Sequence, residues 1–130
     1  IMKIKKLFPV LLSALLFTGC AGGQTGSNDY RSISPEEAEE IMKTQSGYII
    51  LDVRRPDEFA EGHIPNAINL PNESIGSDEI AELPNKNQLI LVYCRSGKRS
   101  KEASSKLVAL GYTNIVEFGG ILDWHGEIVK

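Results

Sequence analysis

The chain has no excess of basic residues, only a short apolar run, and almost no cysteine. Its 130 residues include 14 basic and 17 acidic side chains, a formal charge of −3. Residues 1–19 carry three of the lysines and no acid, so eleven basic residues face seventeen acidic ones in the remainder, a formal −6. An acidic surface argues against nucleic acid as a partner and against anionic lipid held by charge. The apolar run Leu7 to Phe17 falls short of the roughly 20 residues an ordinary membrane span needs. Cysteine occurs twice, at Cys20 and Cys94, and histidine twice, at His63 and His125. The acidic cluster Glu36, Glu37, Glu39 and Glu40 reads as a solvated helix face without metal-site geometry.

What is present divides into three parts. Lys3, Lys5 and Lys6 precede the apolar run, and small residues follow it, the layout of an export signal. Phe17-Thr18-Gly19-Cys20 resembles the bacterial lipoprotein signal, with Phe17 where Leu, Val or Ile is usual. That resemblance implies cleavage after residue 19, lipid on Cys20, and an exported protein held to a membrane by its N-terminal lipid alone. Residues 20–29 form a polar, glycine-rich tether. Residues 30–130 suffice for one compact domain and not for two. With Cys20 lipidated, Cys94 is the only thiol of that domain. This speaks against a dithiol mechanism and marks Cys94 as reactive.

Within the domain, Ser34-Pro35-Glu36-Glu37 predicts a helix start with a capping box, and Gly47 closes that unit. Tyr48 to Val53, Ala67 to Leu70, Gln88 to Tyr93 and Ile115 to Phe118 read as strands. Pro56 to Ala60 reads as a helical turn and Lys98 to Leu110 as a helix closed by Gly111. Ser77 to Leu83 shows helical spacing, and Gly119-Gly120 leads into a short helix carrying Leu122 and Trp124. Strands alternating with helices predict an α/β domain with a mostly parallel sheet, whose ligands bind beyond the carboxyl ends of the strands. Asp52 to Arg55 and Cys94 to Arg99 leave the sheet at that edge.

Cys94 ends the most apolar strand and opens a tight loop, Cys94-Arg95-Ser96-Gly97-Lys98-Arg99-Ser100. Gly97 permits the positive φ that turns successive N–H groups inward into an anion-binding nest. Ser100 falls near the first turn of the helix, where it can cap. The helix N-terminus and the cations Arg95, Lys98 and Arg99 favour thiolate over thiol and suit a nucleophile. They also suit an anion one bond further out on the sulfur.

These residues resemble the single-domain rhodaneses. The blocks are Leu51-Asp52-Val53-Arg54 with Glu58-Phe59, Gly62 to Ala67 with Leu70-Pro71, the Cys94 loop, and Gly119-Gly120-Ile121 with Trp124. The resemblance implies a parallel sheet of about five strands with helices on both faces. It also implies a sulfurtransferase that needs no metal or organic cofactor. Cys94 would take the outer sulfur of a small anionic donor such as thiosulfate as a persulfide and pass it to a thiol or cyanide. The N–H groups from Arg95 to Ser100 would cradle that sulfur, Arg95, Lys98 or Arg99 would hold the donor, and Arg54 would either line the pocket or be structural.

Rhodanese-like phosphatases have five residues between cysteine and arginine, and this loop has four between Cys94 and Arg99, which fits sulfur better than phosphate. Glu58 stands where tandem-domain thiosulfate enzymes have a thiosulfate-binding arginine. It is expected to pair with Arg54 or Arg99, and its acid weakens the case for thiosulfate. A carrier loaded by a protein donor is therefore the alternative. His63 is expected to fix its loop by ring hydrogen bonds, Asp52 to bond the sheet edge or Arg54, Trp124 to pack in the core, and His125 to lie at the surface without a partner. A monomer is expected.

Overall fold

The computed structural model describes residues 29–130. The expected export signal, Cys20 and nearly all of the expected tether lie outside the described residues. The chain runs β1 (Arg31–Ser32), α1 (Pro35–Thr44), β2 (Ile49–Asp52), α2 (Pro56–Glu61), β3 (Ile68–Asn69), a 3-10 turn (Asn72–Ser74), β4 (Ile90–Cys94), α3 (Lys98–Ala109), β5 (Ile115–Gly120) and a second 3-10 turn (Ile121–Asp123). The strands form one five-stranded sheet in the order β1-β5-β4-β2-β3. Every pairing in it is parallel.

Local chemistry explains the elements. Ser34 caps α1: its Oγ accepts the Glu37 N–H at 3.0 Å, and the Glu37 carboxylate accepts the Ser34 N–H at 2.9 Å. Pro35 occupies the first turn, where its missing N–H costs nothing. In β4 all five residues are buried, because helices cover both faces of the sheet. Ile90, Val92 and Cys94 point with Ala103 and Leu107 of α3 into one cluster. Leu91 and Tyr93 point the other way, toward Ala38 of α1 and Phe118, with Trp124 packed against that cluster.

Two expectations change. Ser77 to Leu83 forms bends and a turn instead of a helix. The Leu83 N–H bonds the Ile80 carbonyl at 3.0 Å, which drops Leu83 into the α3-side core. Seven residues stopped by Pro84 are too few to sustain a helix. The edge strand β1 was not anticipated: only two exposed residues form it, and only its register against Val116 and Glu117 defines it.

Candidate active site

The sheet geometry brings the predicted loops to one edge. Cys94 is the last residue of β4, 1% exposed, with a free thiol. Gly97, at φ +116°, turns the chain directly into α3. Its N–H points back at the Cys94 Sγ, 2.9 Å away. The N–H groups of Lys98, Arg99 and Ser100 belong to the first turn of α3 and have no partner four residues back in the helix. The first helical bond of α3 is the one from the Lys101 N–H to the Gly97 carbonyl, at 3.3 Å. The loop lies directly on the end of β5: the Arg95 carbonyl accepts the Leu122 N–H at 3.2 Å and stands over Gly120.

The cations do not all face the site. Arg99 donates to both Glu58 oxygens, at 2.7 and 3.1 Å, and this ion pair is mostly shielded from water. The Glu58 carboxyl drops to about 2: the Arg99 hydrogen bonds lower it most, partial burial opposes them, and the Arg55 N–H and the Arg99 and Arg55 charges add to the lowering. Lys101 stands 3.4 Å from the buried carboxylate of Glu117. Arg95 and Lys98 are exposed at the mouth. Among the described residues neither forms an ion pair within 4.0 Å.

The Glu58–Arg99 pair carries a pH prediction. A carboxyl held at about 2 against an ordinary 4.5 adds stability that is complete above 4.5 and is lost as the pH falls toward 2. At about 1.4 kcal/mol per unit the ceiling is about 3.5 kcal/mol, and screening of a pair that solvent partly reaches brings the contribution to roughly 2–3 kcal/mol. Urea unfolding of Glu58→Gln should show that deficit at pH 7 and converge on the parent protein by pH 2. Parallel curves at all pH values would refute the pairing. Loss of turnover in the folded variant would further tie Glu58 to the site, and unchanged kinetics would remove it from the chemistry.

Arg54, left open by the sequence between lining the pocket and a structural role, is 6% exposed and bound within the fold. Its Nε and one terminal nitrogen grip Asp52 at 2.7–3.1 Å, and that nitrogen also donates to the Gly62 carbonyl at 2.6 Å. A fully buried Asp52 needs its charge matched, and Arg54 is the group that matches it.

Ser100 is a correction. It neither caps α3 nor opens its hydroxyl to the pocket. Gly97 is the N-cap, and the Ser100 Oγ is buried, its hydrogen shared between Glu117 at 2.8 Å and the Gly97 carbonyl at 2.9 Å. His63 sits on its loop as a fixture. Its Nδ1 lies 3.0 Å from the Phe59 carbonyl, and its ring stacks on Phe59 at 3.8 Å. His125 is exposed but not alone, with its Nε2 3.7 Å from Glu36.

The residue that sequence reasoning missed is Glu117. It reads as part of a short strand, yet it is 2% exposed beneath the loop. The available signal was an acid inside a strand expected to be covered on both faces, two residues before Gly119-Gly120.

A five-stranded parallel sheet with a buried cysteine at the carboxyl end of β4, opening a glycine-turned loop into a helix, defines an α/β domain of the rhodanese fold. The chain belongs to the rhodanese-like domain family, whose profile matches residues 34–127. It is 34% identical over 73 residues to the thiosulfate sulfurtransferase PspE of Escherichia coli, covering 56% of this chain and 70% of that protein. It is 35% identical over 97 residues to a sulfurtransferase of Allochromatium vinosum, covering 72% of this chain and 89% of that one. Among solved structures, a rhodanese with anions from E. coli superposes with a TM-score of 0.58 at 34% identity, over 64% of this chain and 98% of that one. A rhodanese-like domain protein from Staphylococcus aureus gives 0.65 at 32% identity, over 75% and 93%. The chain is thus a rhodanese-like protein with sulfurtransferase relatives.

Proposed function

We propose that the protein is a sulfurtransferase in which Cys94 carries the moving sulfur as a persulfide. The observation that carries this reading is the Gly97 N–H held 2.9 Å from the Cys94 Sγ, at the start of a helix. In the first step the Cys94 thiolate attacks the outer sulfur of a donor such as thiosulfate. A new S–S bond forms, the old one breaks, and sulfite leaves with its electron pair. In the second step a thiolate or cyanide takes the terminal sulfur and the Cys94 thiolate returns. The charge count is unchanged in both steps, so neither requires an outside oxidant. The persulfide anion lies one bond beyond the Sγ, where the free N–H groups of the first α3 turn favour negative charge.

Arg95 and Lys98, exposed and without an ion pair, would draw the anionic donor to the mouth. The protein would work as an exported, lipid-anchored monomer, with Cys20 as the anchor. A second reading, a carrier loaded by a protein donor with little thiosulfate turnover, draws on Glu58, which takes up the Arg99 charge that a small dianion could otherwise use.

Intact mass before and after thiosulfate separates the two. The first reading expects one added sulfur, removed by cyanide and absent from Cys94→Ser, whose transfer rate falls to background. A folded protein with a free thiol that gains no sulfur would favour the carrier. In the same assay, removing both free cations (Arg95→Ala with Lys98→Ala) should raise KM for thiosulfate by roughly tenfold with a smaller change in kcat. An unchanged KM would dismiss them as donor-binding residues.

A further inference from the structure

We infer that Glu117 is a positioning residue for the Cys94 loop, acting through Ser100 and Gly119. Burying an ionised carboxylate costs several kcal/mol unless donors surround it. Glu117 is so surrounded. Its Oε1 accepts the Ser100 hydroxyl at 2.8 Å and the Gly119 N–H at 3.0 Å, and its Oε2 lies 3.4 Å from the Lys101 Nζ. Ser32, its register partner on β1, lies beside it on the neighbouring strand. Burial pushes the carboxyl up, but the Ser32 side chain, the bonds from Ser100 and Gly119 and the Lys101 charge outweigh it and hold the group below its ordinary value.

Each donor on Oε1 belongs to a wall of the site. Ser100 is in the first turn of α3, and its hydroxyl also holds the Gly97 carbonyl at 2.9 Å. Gly97 is the residue whose N–H meets the sulfur. Gly119, at φ +88°, sets the course of the backbone into Gly120, against which the Arg95 carbonyl rests. One carboxylate oxygen therefore ties the helix start to the strand end, and the loop is clamped between them. The chain of contacts runs from Glu117 through Ser100 and Gly97 to Cys94, with the Lys101 N–H as a second, longer bond on the Gly97 carbonyl. An apolar residue would have filled the same place at lower desolvation cost, so the charge is read as serving geometry at the site.

This inference rests on the persulfide reading for its kinetic test, and one readout is kept independent of it. The proteins are the parent, Glu117→Gln, Ser100→Ala and the double variant, each checked by circular dichroism and thermal melting. Each single change should lower kcat by roughly tenfold or more while KM for thiosulfate stays within about twofold, because displaced N–H groups weaken the transition state and not donor capture. The double variant should lose no more than the worse single one, since both changes cut the same chain. A retained kcat in folded Glu117→Gln, a loss confined to KM, or losses that multiply would each overturn the inference.

If the parent protein loads no sulfur, the proposed function fails and the Gly97 amide resonance decides the positioning claim. A displacement common to both single variants, not enlarged in the double, upholds it. A resonance that stays in place refutes it.

Discussion

Replacing Gly120 by alanine should remove most sulfur transfer while leaving the sheet assembled. The backbone of Gly120, at φ −136° and ψ 158°, is ordinary extended conformation, so alanine meets no torsional penalty there. Space is the difficulty. A Cβ at this position would stand 2.0 Å from the Arg95 carbonyl oxygen, 2.3 Å from its carbon and 2.5 Å from the Ser96 nitrogen. The atoms it meets are loop backbone, which has no flexible end to swing aside. Arg95 must retreat by about 1 Å or more, and a shift of that size costs on the order of a hundredfold in rate when reacting groups depend on alignment. The bond from the Leu122 N–H to the Arg95 carbonyl would break with it. Overpacking at one site costs about 1–3 kcal/mol of stability, so the variant should still fold. Gly76→Ala, whose added methyl meets nothing within 4 Å, is the matched control and should transfer sulfur at the parent rate. Full turnover in a folded Gly120→Ala protein would show that the loop is not held where the structure places it.

Much of this arrangement could be read from residue order, and the parts that could not share a cause. The central strands are continuous apolar runs because both sheet faces are covered, and the helices carry caps or closing glycines. Local chemistry therefore sufficed for α1, α3, β2, β4 and β5. The Cys94 loop was legible because a glycine and three cations crowd into five positions after a lone thiol. Glu117 and the Ser100 hydroxyl were not, since their roles depend on neighbours distant in the chain, whereas Arg54 meets Asp52 only two positions away, a pairing that residue order already offered. Ser100 meets Glu117 17 positions away, whereas of the two partners expected for Glu58 the structure selects Arg99, 41 positions away. A positive charge looks alike in sequence whether it faces a donor or a buried acid. Only the register of Val92 with Glu117 and of Glu117 with Ser32 shows which polar groups lie side by side. Gly120 was legible as a glycine and not as a clearance, because its neighbour is the loop 25 residues earlier. In Ser77 to Leu83 the apolar spacing was real, but a turn that buries Leu83 and packs Ile80 against the same core satisfied it without a helix.

Asp52→Asn should be among the most destabilising single changes in the domain, at about 3–5 kcal/mol, because it strands the Arg54 charge inside the protein. Asp52 is fully buried, and its oxygens accept the Arg54 N–H at 2.9 Å and the guanidinium at 2.7–3.1 Å. The Tyr93 ring lies 5.7 Å from the guanidinium carbon, and burial together with Asp52 pushes the Tyr93 hydroxyl well up, so it supplies no anion, and Glu58 acts on Arg54 through its charge alone, more weakly than Asp52. Asparagine keeps the shape and removes the charge, which isolates the electrostatic part. A domain of this size is stable by about 5–15 kcal/mol in total, so the melting point should fall by well over 10 °C. The companion variant Arg54→Met leaves Asp52 unmatched and should cost a similar amount. Joined with Asp52→Asn it should recover part of the loss, since a neutral pair needs no partner. The effect should reach the site through a defined route. Arg54 holds the Gly62 carbonyl, so it closes the segment that contains α2, and α2 carries Glu58 to Arg99. Weakening the clamp should therefore loosen the Glu58–Arg99 pair before it disturbs the Cys94–Gly97 contact. In a partly destabilised Asp52→Asn protein, the acid sensitivity assigned to Glu58 should shrink while Cys94 still loads sulfur. A destabilisation under about 1 kcal/mol would mean that water reaches Arg54, and the clamp would lose its standing.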